Sequence, residues 1–400
     1  MRFVSLFGML VLLLIAWALS NDRRRIPWRA VIMGTLLQLT FAVIILRTEW
    51  GRAFFAGLTT VVTTLLGFSD AGAAFVFGEG FREHFFAFSV LPTIIFFSSL
   101  ITIFYYLGVL QWIVKIFAKI MMKVMGTSGA ESLASAVNVF VGQTEAPLLI
   151  RPYVPSLTQS ELMAVMAGGF ANIAGGVLAA YVGMGVSAGH LIASSVMSAP
   201  ASLLMAKLMF PEREASNTAG VVTLEVSRPW TNVIDAAAEG ATEGLKLALN
   251  VAGMLIAFIA VIALLNGIIS TIAGWFGYIM TLESIFGFVF RPLAWVMGVP
   301  WAEADEVGTL LGIKTVINEF VGYAKLQEMV TAGMLSERSK IIATYALCGF
   351  ANFSSIAIQI GGIGAMAPER KGDLARLGLK AMIAGSLATF QTATIAGMLL

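Results

Sequence analysis

The chain has 400 residues, of which 58% are hydrophobic and 12% are charged, and its formal net charge is +2. At a mean hydropathy of +0.88, it has too few polar side chains to coat a soluble globule, which makes it an integral membrane protein. The near-neutral charge and the scattered basic residues exclude nucleic acid as a partner and leave the lipid bilayer as its surroundings.

The amino terminus is an apolar stretch followed by a basic cluster. Only Arg2 precedes the apolar residues 3–19, whereas the arginines within 23–29 follow them. A cleavable signal peptide carries its positive charge in front of the apolar part. By the positive-inside rule the cluster is cytoplasmic, which predicts a retained first span and an external amino terminus.

Long apolar windows recur along the chain, and each can cross ~30 Å of hydrocarbon. About eight spans are predicted on this basis. Their windows are 3–19, 28–46, 85–110, 161–185, 188–210, 245–272, 341–364 and 377–400. The Thr-containing stretch 51–66 is better explained as an interfacial helix. The polar stretch 211–240 is a connector too short for a soluble domain.

An even number of spans returns the carboxyl terminus to the outside and puts the basic segment 367–380 inside. The prediction is therefore a multi-pass protein of the cell inner (plasma) membrane, with both termini external.

Two apolar segments, 111–153 and 282–327, are interrupted by polar residues. Glu145 lies at the first interruption and Glu319 at the second. Irregular backbone at membrane depth is tolerated only where it is buried in protein or lines a cavity. An intramembrane carboxylate is costly, so it is a functional-site hypothesis by default. We therefore predict two re-entrant hairpins, each with a glutamate at its tip.

The two segments belong to an internal repeat. The tripeptide VMG occurs at Val124 and Val296, and GFAN occurs at Gly169 and Gly349, with the two glutamates between them in order. The intervals all lie between 172 and 180 residues, which indicates a repeat. By the span count the first copy starts inside and the second outside, so the repeats are inverted. The glycines of GFAN let each span unwind there, and the freed backbone groups become ligands for a solute or an ion.

These features also have purely structural explanations. A single GFAN could be a helix-packing motif with Asn as interhelical glue, and either glutamate could be a buried hydrogen-bonding cap. Two GFAN copies, each downstream of a glutamate, favour a binding site. A membrane-embedded enzyme using Glu145 and Glu319 as acid and base is disfavoured, because HExxH and a Cys–His pair are missing. The segment 308–315, GTLLGIKT, has the wrong spacing for a phosphate loop.

Three segments, GQTEAPLLIRPY, VINEFVGY and GFANFSS, resemble the signature segments of the concentrative nucleoside transporter family. The likeness covers nearly the whole chain in order and is typical of a bacterial member. It implies an all-α, elevator-type symporter that forms a homotrimer and imports nucleosides such as uridine, adenosine and cytidine.

The resemblance also implies a substrate pocket. The first hairpin tip reads the nucleobase, and the second hairpin with the broken seventh span holds the ribose. The nucleobase residues are Gln143, Thr144 and Glu145, the ribose residues are Glu319, Asn352 and Ser355, and Val177 and Phe350 line the same pocket.

The coupling ion implied by the resemblance is Na⁺. Its ligands are Asn138, Val141, Asn172 and Ile173, between the first hairpin tip and the broken fourth span. Many sodium-coupled relatives have a small hydroxyl residue where this chain has Asn172, but an amide oxygen can also ligate Na⁺. Coupling to H⁺ is the alternative, and it would need a titratable group such as Glu145 or Glu319.

An elevator divides the chain into moving and static parts. The predicted transport domain comprises 1–50, 111–244 and 276–400, and the predicted scaffold comprises 51–110 and 245–275.

Overall fold

The computed structural model describes residues 1–84, 86–220 and 230–400, and within these ranges the chain is helical with no strand. The all-α class predicted from the sequence is confirmed. The middle of the predicted connector and Phe85, where the third predicted span begins, lie outside the described residues.

The helices of the first half run from the amino terminus to the connector. They are α1 Arg2–Ala18, α2 Trp28–Arg47, α3 Glu49–Phe77, α4 Leu91–Tyr106, α5 Val109–Met125, α6 Gly129–Val137, α7 Gln159–Ala171, α8 Gly175–Gly183 and α9 Ala188–Met209.

The helices of the second half follow the connector. They are α10 Val233–Trp275, α11 Leu282–Val296, α12 Ala304–Val316, α13 Glu319–Thr331, α14 Glu337–Leu347, α15 Phe353–Met366 and α16 Lys371–Leu399. Short 3₁₀ segments occupy Glu79–His84, Ala146–Ser156, Trp301–Glu303 and Pro368–Arg370, and a π-helical turn occupies Phe86–Val90.

Among the described residues, seven helical segments are long and apolar enough to cross a membrane. They are Trp28–Arg47, Glu49–Phe77, Phe86–Tyr106, Gln159–Gly183, Ala188–Met209, Val233–Trp275 and Pro368–Leu399. The apolar helices Arg2–Ala18 and Phe353–Met366 are shorter. The chain is thus consistent with a multi-pass membrane protein, while the predicted number of about eight spans stays a prediction.

Two helices extend beyond the windows predicted from the sequence. α3 has 29 residues and extends well beyond the predicted interfacial stretch. α10 has 43 residues and begins at Val233, upstream of the predicted sixth span. In both cases polar or Thr-containing residues continue a helix that the apolar window alone does not include. The interfacial placement of α3 stays a prediction.

Burial separates the helices into two groups. In the apolar windows of Gln159–Gly183 and Ala188–Met209, 89% of the residues are buried, and in that of Pro368–Leu399, 78%. The corresponding figures are 11% for Glu49–Phe77 and 17% for Val233–Trp275. The first group forms the core of the chain, and the second presents most of its apolar surface outward.

The exposed helices α10 and α4 pack closely against each other. A Cβ built at Gly240 would lie 2.8 Å from the Cα of Ser99, and one at Gly244 would lie 2.8 Å from the Cα of Ile95. Contacts under 3.0 Å between carbon atoms do not persist, so both glycines are needed for this approach. The predicted third and sixth spans therefore pair along α4 and α10.

The arms of the first interrupted segment differ from each other. At the start of α6 the Glu131 carboxylate accepts a hydrogen bond from the Ser128 amide at 2.7 Å, which satisfies one free amide at this helix end. The second arm, Ala146–Ser156, is a 3₁₀ segment with Pro152 and Pro155 inside it. Proline lacks the amide hydrogen and clashes with the preceding turn, so this arm cannot be a regular α-helix.

Both GFAN segments interrupt a helix, as the sequence predicted. α7 ends at Ala171, Asn172 has extended backbone angles, and α8 begins at Gly175. α14 ends at Leu347 and α15 begins at Phe353. The element order α6, α7, α8 of the first half therefore returns as α12, α14, α15 in the second.

Candidate functional site

The two helix breaks contact each other inside the chain. The backbone amide of Phe350 donates to the carbonyl of Asn172 at 3.3 Å. Gly349 has a φ of +136°, and a Cβ at this position would lie 2.7 Å from the carbonyl oxygen of Phe170. A left-handed backbone angle and a close approach both demand glycine here. The GFAN repeat thus brings two stretches of irregular backbone together in the core.

Glu319 is the central charged group at this crossing. It is 5% exposed and lies in the first turn of α13, which Asn318 caps by accepting a hydrogen bond from the amide of Val321. Its carboxylate accepts one hydrogen bond from the Tyr181 hydroxyl at 2.9 Å and another from Asn352 Nδ2 at 3.1 Å. The carboxylate is therefore held in a fixed orientation by groups from both halves of the chain.

Asn352 links the second hairpin to the second break. Its Oδ1 caps α15 by accepting from the Ser355 amide at 2.9 Å and from the Ser354 hydroxyl at 2.7 Å, while its Nδ2 holds Glu319. The predicted ribose residues Glu319, Asn352 and Ser355 are thus close together in the structure.

Gln143 of the first hairpin reaches the same cluster. Its Nε2 donates to the Ser355 hydroxyl at 3.1 Å, and its Oε1 accepts from Gln359 Nε2 at 3.0 Å. A Cβ at Gly169 would lie 2.8 Å from that Gln359 nitrogen and 2.9 Å from the Gln143 Cβ. Gly169, the glycine of the first GFAN segment, therefore leaves room for the Gln143–Gln359 pair.

The other predicted pocket residues occupy different environments. Val177 is 3% exposed, whereas Thr144 and Phe350 are partly exposed. Glu145 is exposed in the single chain, and the Glu319 carboxylate accepts its hydrogen bonds from Tyr181 and Asn352. The sequence analysis predicted a glutamate at each hairpin tip, and in the single chain Glu319 is buried whereas Glu145 is exposed.

Two contributing residues were missed by the sequence analysis. Tyr181 is fully buried and donates to Glu319, and Gln359 is fully buried and donates to Gln143 and to the Met166 carbonyl. Each is one polar group in an otherwise apolar helix, and buried polar groups need partners. That signal was available, but it does not say which distant residue is the partner.

The predicted ion ligands include polar atoms that lack a partner. Asn138 is 1% exposed, and neither its amide oxygen nor its amide nitrogen has a hydrogen-bond partner among the described residues. The side-chain oxygen of Asn172 is likewise unpartnered, while its Nδ2 donates to the Gly168 carbonyl at 3.3 Å. Such orphaned buried groups are rare in folded proteins. Two free amide oxygens suit a small hard cation that prefers oxygen ligands.

The hairpin tip is held against the broken helix beside these amides. The Gly175 amide, at the start of α8, donates to the Phe140 carbonyl at 3.1 Å. Val141 follows Phe140 directly, and Ile173, which is 1% exposed, lies in the break before Gly175. All the predicted ion ligands therefore belong to two segments that touch.

The sequence matches three family models that together cover most of the chain. They are described as the Na⁺ dependent nucleoside transporter N-terminus over residues 7–80, Nucleoside recognition over residues 87–188, and the Na⁺ dependent nucleoside transporter C-terminus over residues 190–397.

Similar proteins occur in bacteria and animals. An uncharacterized transporter of Haemophilus influenzae is 50% identical over 98% of this chain and 97% of its own length. Solute carrier family 28 member 3 of Homo sapiens is 43% identical over 100% of this chain, which spans 60% of the human protein. The mouse Sodium/nucleoside cotransporter 1 is 41% identical, and the chain spans 64% of it.

The fold matches solved structures of CNTnw, which is 46% identical to this chain. The inward-facing substrate-bound state superposes with a TM-score of 0.94, covering 100% of this chain and 98% of that one. A variant in an outward-facing state superposes with a TM-score of 0.94 over 100% and 97%.

Proposed function

This chain belongs to the Na⁺-dependent nucleoside transporter family, and from that premise we propose that it is a secondary active symporter importing nucleosides with Na⁺. Sodium is the coupling ion of this family. Its members are transporters, and the role proposed here needs no covalent chemistry. The substrates proposed are uridine, adenosine and cytidine.

The observation that carries this proposal is the convergence of buried polar groups at the crossing of the two breaks. Glu319, Asn352, Ser355 and Gln143 are linked in that order by hydrogen bonds, with Glu319 at one end and Gln143 at the other. A ribose offers hydroxyl donors that a carboxylate accepts, while a base offers mixed donors and acceptors that a carboxamide can match. The proposed pocket therefore has separate chemistry for each part of a nucleoside.

Such a pocket would distinguish a nucleoside from its fragments, because a fragment leaves buried polar groups without hydrogen-bond partners. An analogue that lacks the ribose or the base leaves buried donors and acceptors without partners, which costs ~1 to 3 kcal/mol for each group. Thr144 and Glu145 complete the proposed base site at the accessible hairpin tip, and Val177 and Phe350 supply its apolar walls. Binding of an intact nucleoside is expected to be preferred over either fragment.

The proposed sodium site uses Asn138 and Asn172 through their side chains and Val141 and Ile173 through their carbonyls. When bound there, Na⁺ would tie the first hairpin tip to the broken fourth span. Neither asparagine can carry a proton at physiological pH, which favours Na⁺ over H⁺. One Na⁺ moving inward gains roughly 2.3 kcal/mol per 100 mV. A ~30-fold nucleoside gradient requires about 2 kcal/mol, so one ion for each nucleoside suffices.

The proposed mechanism is an elevator in a homotrimer. The proposed static scaffold is 51–110 with 245–275, which comprises most of α3, α4 and the apolar part of α10, and the exposed apolar surface of these helices suits contacts with lipid and with neighbouring subunits. The remaining segments (1–50, 111–244 and 276–400), with two inverted re-entrant hairpins, form the proposed moving domain. Cysteine pairs between the first hairpin and α10 should crosslink in mutually exclusive inward and outward sets. A single pattern, unchanged by substrate and ion, would contradict the elevator.

The orientation in the inner membrane is also a proposal. The arginines within 23–29 and the basic segment 367–380 are placed on the cytoplasmic side, with both termini outside. A membrane-impermeant reagent applied to intact cells should therefore label a cysteine added at either terminus. Labelling only after permeabilisation would reverse the assignment.

Uptake into proteoliposomes tests the function as a whole. Radiolabelled uridine and adenosine should accumulate when an inward Na⁺ gradient is imposed, and the recovered label should be chemically unchanged. Liposomes carrying the Glu319→Gln variant serve as the control. Accumulation driven by an H⁺ gradient without Na⁺ would replace sodium coupling by proton coupling, and conversion of the substrate would indicate an enzyme.

A further inference from the structure

Lys314 is a fully buried ammonium group that neither proposed site uses. It lies in the last turn of α12 and is 0% exposed. Its Nζ donates to the carbonyl oxygen of Ala346 at 2.7 Å and to the hydroxyl of Thr389 at 3.1 Å. The contacts tie the second hairpin to α14 and to α16.

This ammonium has no carboxylate partner at contact distance. Among the described residues, no Asp or Glu oxygen lies within 4.0 Å of Lys314 Nζ. The other buried lysine, Lys207, lies 2.7 Å from Glu131 and 3.3 Å from Glu212. An unpaired ammonium in the core of a membrane protein is costly and is not expected without a role.

The Ala346 carbonyl belongs to the carboxyl end of α14, where the second break begins. The last carbonyls of a helix lack partners within the helix and carry a partial negative charge. At this end, the Thr344 carbonyl accepts from the Tyr323 hydroxyl at 2.8 Å, and the Ala346 carbonyl accepts from Lys314. Lys314 therefore places a positive charge where the helix end attracts a cation.

The corresponding place in the first half has no lysine. The order α6, α7 there matches α12, α14 here, and Asn138 is the C-cap of α6 whereas Lys314 lies in the last turn of α12. Asn138 has no partner for either amide atom among the described residues, whereas Lys314 is bonded to the helix end it faces. One half thus presents neutral oxygen ligands, and the other already contains a cation.

We propose that Lys314 is a tethered cation: its positive charge stabilises the second break, as a bound Na⁺ would stabilise the first. It is a positioning residue, since it acts on the substrate pocket by holding α12 and α14 together five residues before Glu319. The comparison between the halves rests on the proposed sodium site, but the role of Lys314 does not. A consequence is that nucleoside binding requires only one cation from solution.

Uridine affinity measured by calorimetry on the full-length protein tests this role. Lys314→Met, which keeps the length and removes the charge, should weaken uridine binding by about 10- to 100-fold, because a hydrogen bond to a charged donor is lost. Lys314→Arg should stay within a few-fold of wild type. Lys325→Ala, which removes a partly exposed lysine from the same hairpin, is the matched control and should bind normally.

Chemical rescue supplies a readout that does not depend on the substrate. Lys314→Ala leaves space where the side chain was, and methylammonium chloride should raise its melting temperature without nucleoside present. The same salt should have no effect on wild type or on Lys314→Met, whose side chain fills the space. Wild-type uridine affinity in Lys314→Met, equal losses in the Met and Arg variants, or no rescue of a folded Lys314→Ala would each overturn the tethered cation. Failure of the wild type itself to bind uridine would instead overturn the proposed substrate.

Discussion

The two breaks share the GFAN sequence but differ in how their polar groups are satisfied. At the second break Glu319 accepts two hydrogen bonds, Asn352 is bonded through both of its amide atoms, and Lys314 has two acceptors. At the first break Asn138 is unpartnered among the described residues, as is the side-chain oxygen of Asn172. Glu319, Asn352 and Lys314 are therefore bonded within the chain, whereas the first break has free amide atoms that suit the proposed ion.

This difference is consistent with the two roles proposed for the repeated helix break, which are ion binding at the first copy and ribose recognition at the second. A network whose members are all bonded is rigid, which suits recognition of a fixed arrangement of hydroxyls. A site with unmet oxygens costs free energy until an ion arrives, so ion binding can tighten the first hairpin against the fourth span. Coupling follows if nucleoside binding requires both breaks to be ordered.

The strongest test of the second break is Glu319→Gln. The amide cannot accept from Tyr181 and Asn352 as a charged group does, so uridine affinity should fall at least about 100-fold. Calorimetry on the folded, oligomeric variant measures the loss. Glu328→Gln, on the exposed face of the same helix, is the control and should bind as wild type does. Unchanged affinity in Glu319→Gln would remove this carboxylate from the ribose site.

The incomplete first break is tested by Asn138→Leu. Leucine removes a proposed sodium ligand and also the unmet amide, so uridine affinity should fall about 10- to 30-fold at high Na⁺ and should lose its dependence on Na⁺. Titrations with uridine over a series of Na⁺ concentrations at fixed pH, with choline replacing Na⁺, give the measurement. Asn217→Leu changes an exposed asparagine and should keep the full response. An affinity that follows pH and ignores Na⁺ in wild type would shift the coupling to a proton.

The contact between the breaks is tested by Gly349→Ala. The added Cβ meets the Phe170 carbonyl at a φ of +136°, so the variant should lose about 1 to 3 kcal/mol of stability. Its melting temperature should fall by several degrees. Gly361→Ala is the matched control, because a Cβ at this position meets nothing within 4 Å. Gly361 lies in the interior of α15, where alanine is favoured over glycine by roughly 0.5 to 1 kcal/mol. Equal melting temperatures for the two variants would contradict a tight crossing.

The smallest expected effect separates base recognition from ribose recognition. Gln143→Ala removes a neutral hydrogen-bonding group worth about 1 kcal/mol, so uridine affinity should fall about fivefold. The preference between uridine and adenosine should change, while the preference for uridine over 2′-deoxyuridine should not. A change in the ribose preference instead would place Gln143 at the sugar and merge the two proposed subsites.

The amino-acid sequence was sufficient to predict features that depend on local composition. The low charge content identified a membrane protein, and the glycines and asparagines of GFAN predicted both breaks, because glycine and a capping side chain act within a few residues of their own position. Glu319, Asn352 and Ser355 were predicted together for a related reason: a repeat and a family resemblance are both visible in linear order.

The tertiary structure alone decided which distant groups meet. Tyr181 and Gln359 reach the site through helix packing across intervals of 138 and 216 residues, and no local pattern encodes such partners. The same packing exposes Glu145 and buries Lys314, although the sequence drew attention to the first and not to the second. Polar side chains are satisfied by whichever groups the fold brings within about 3 Å, so their roles depend on three-dimensional contacts and not on the sequence around them.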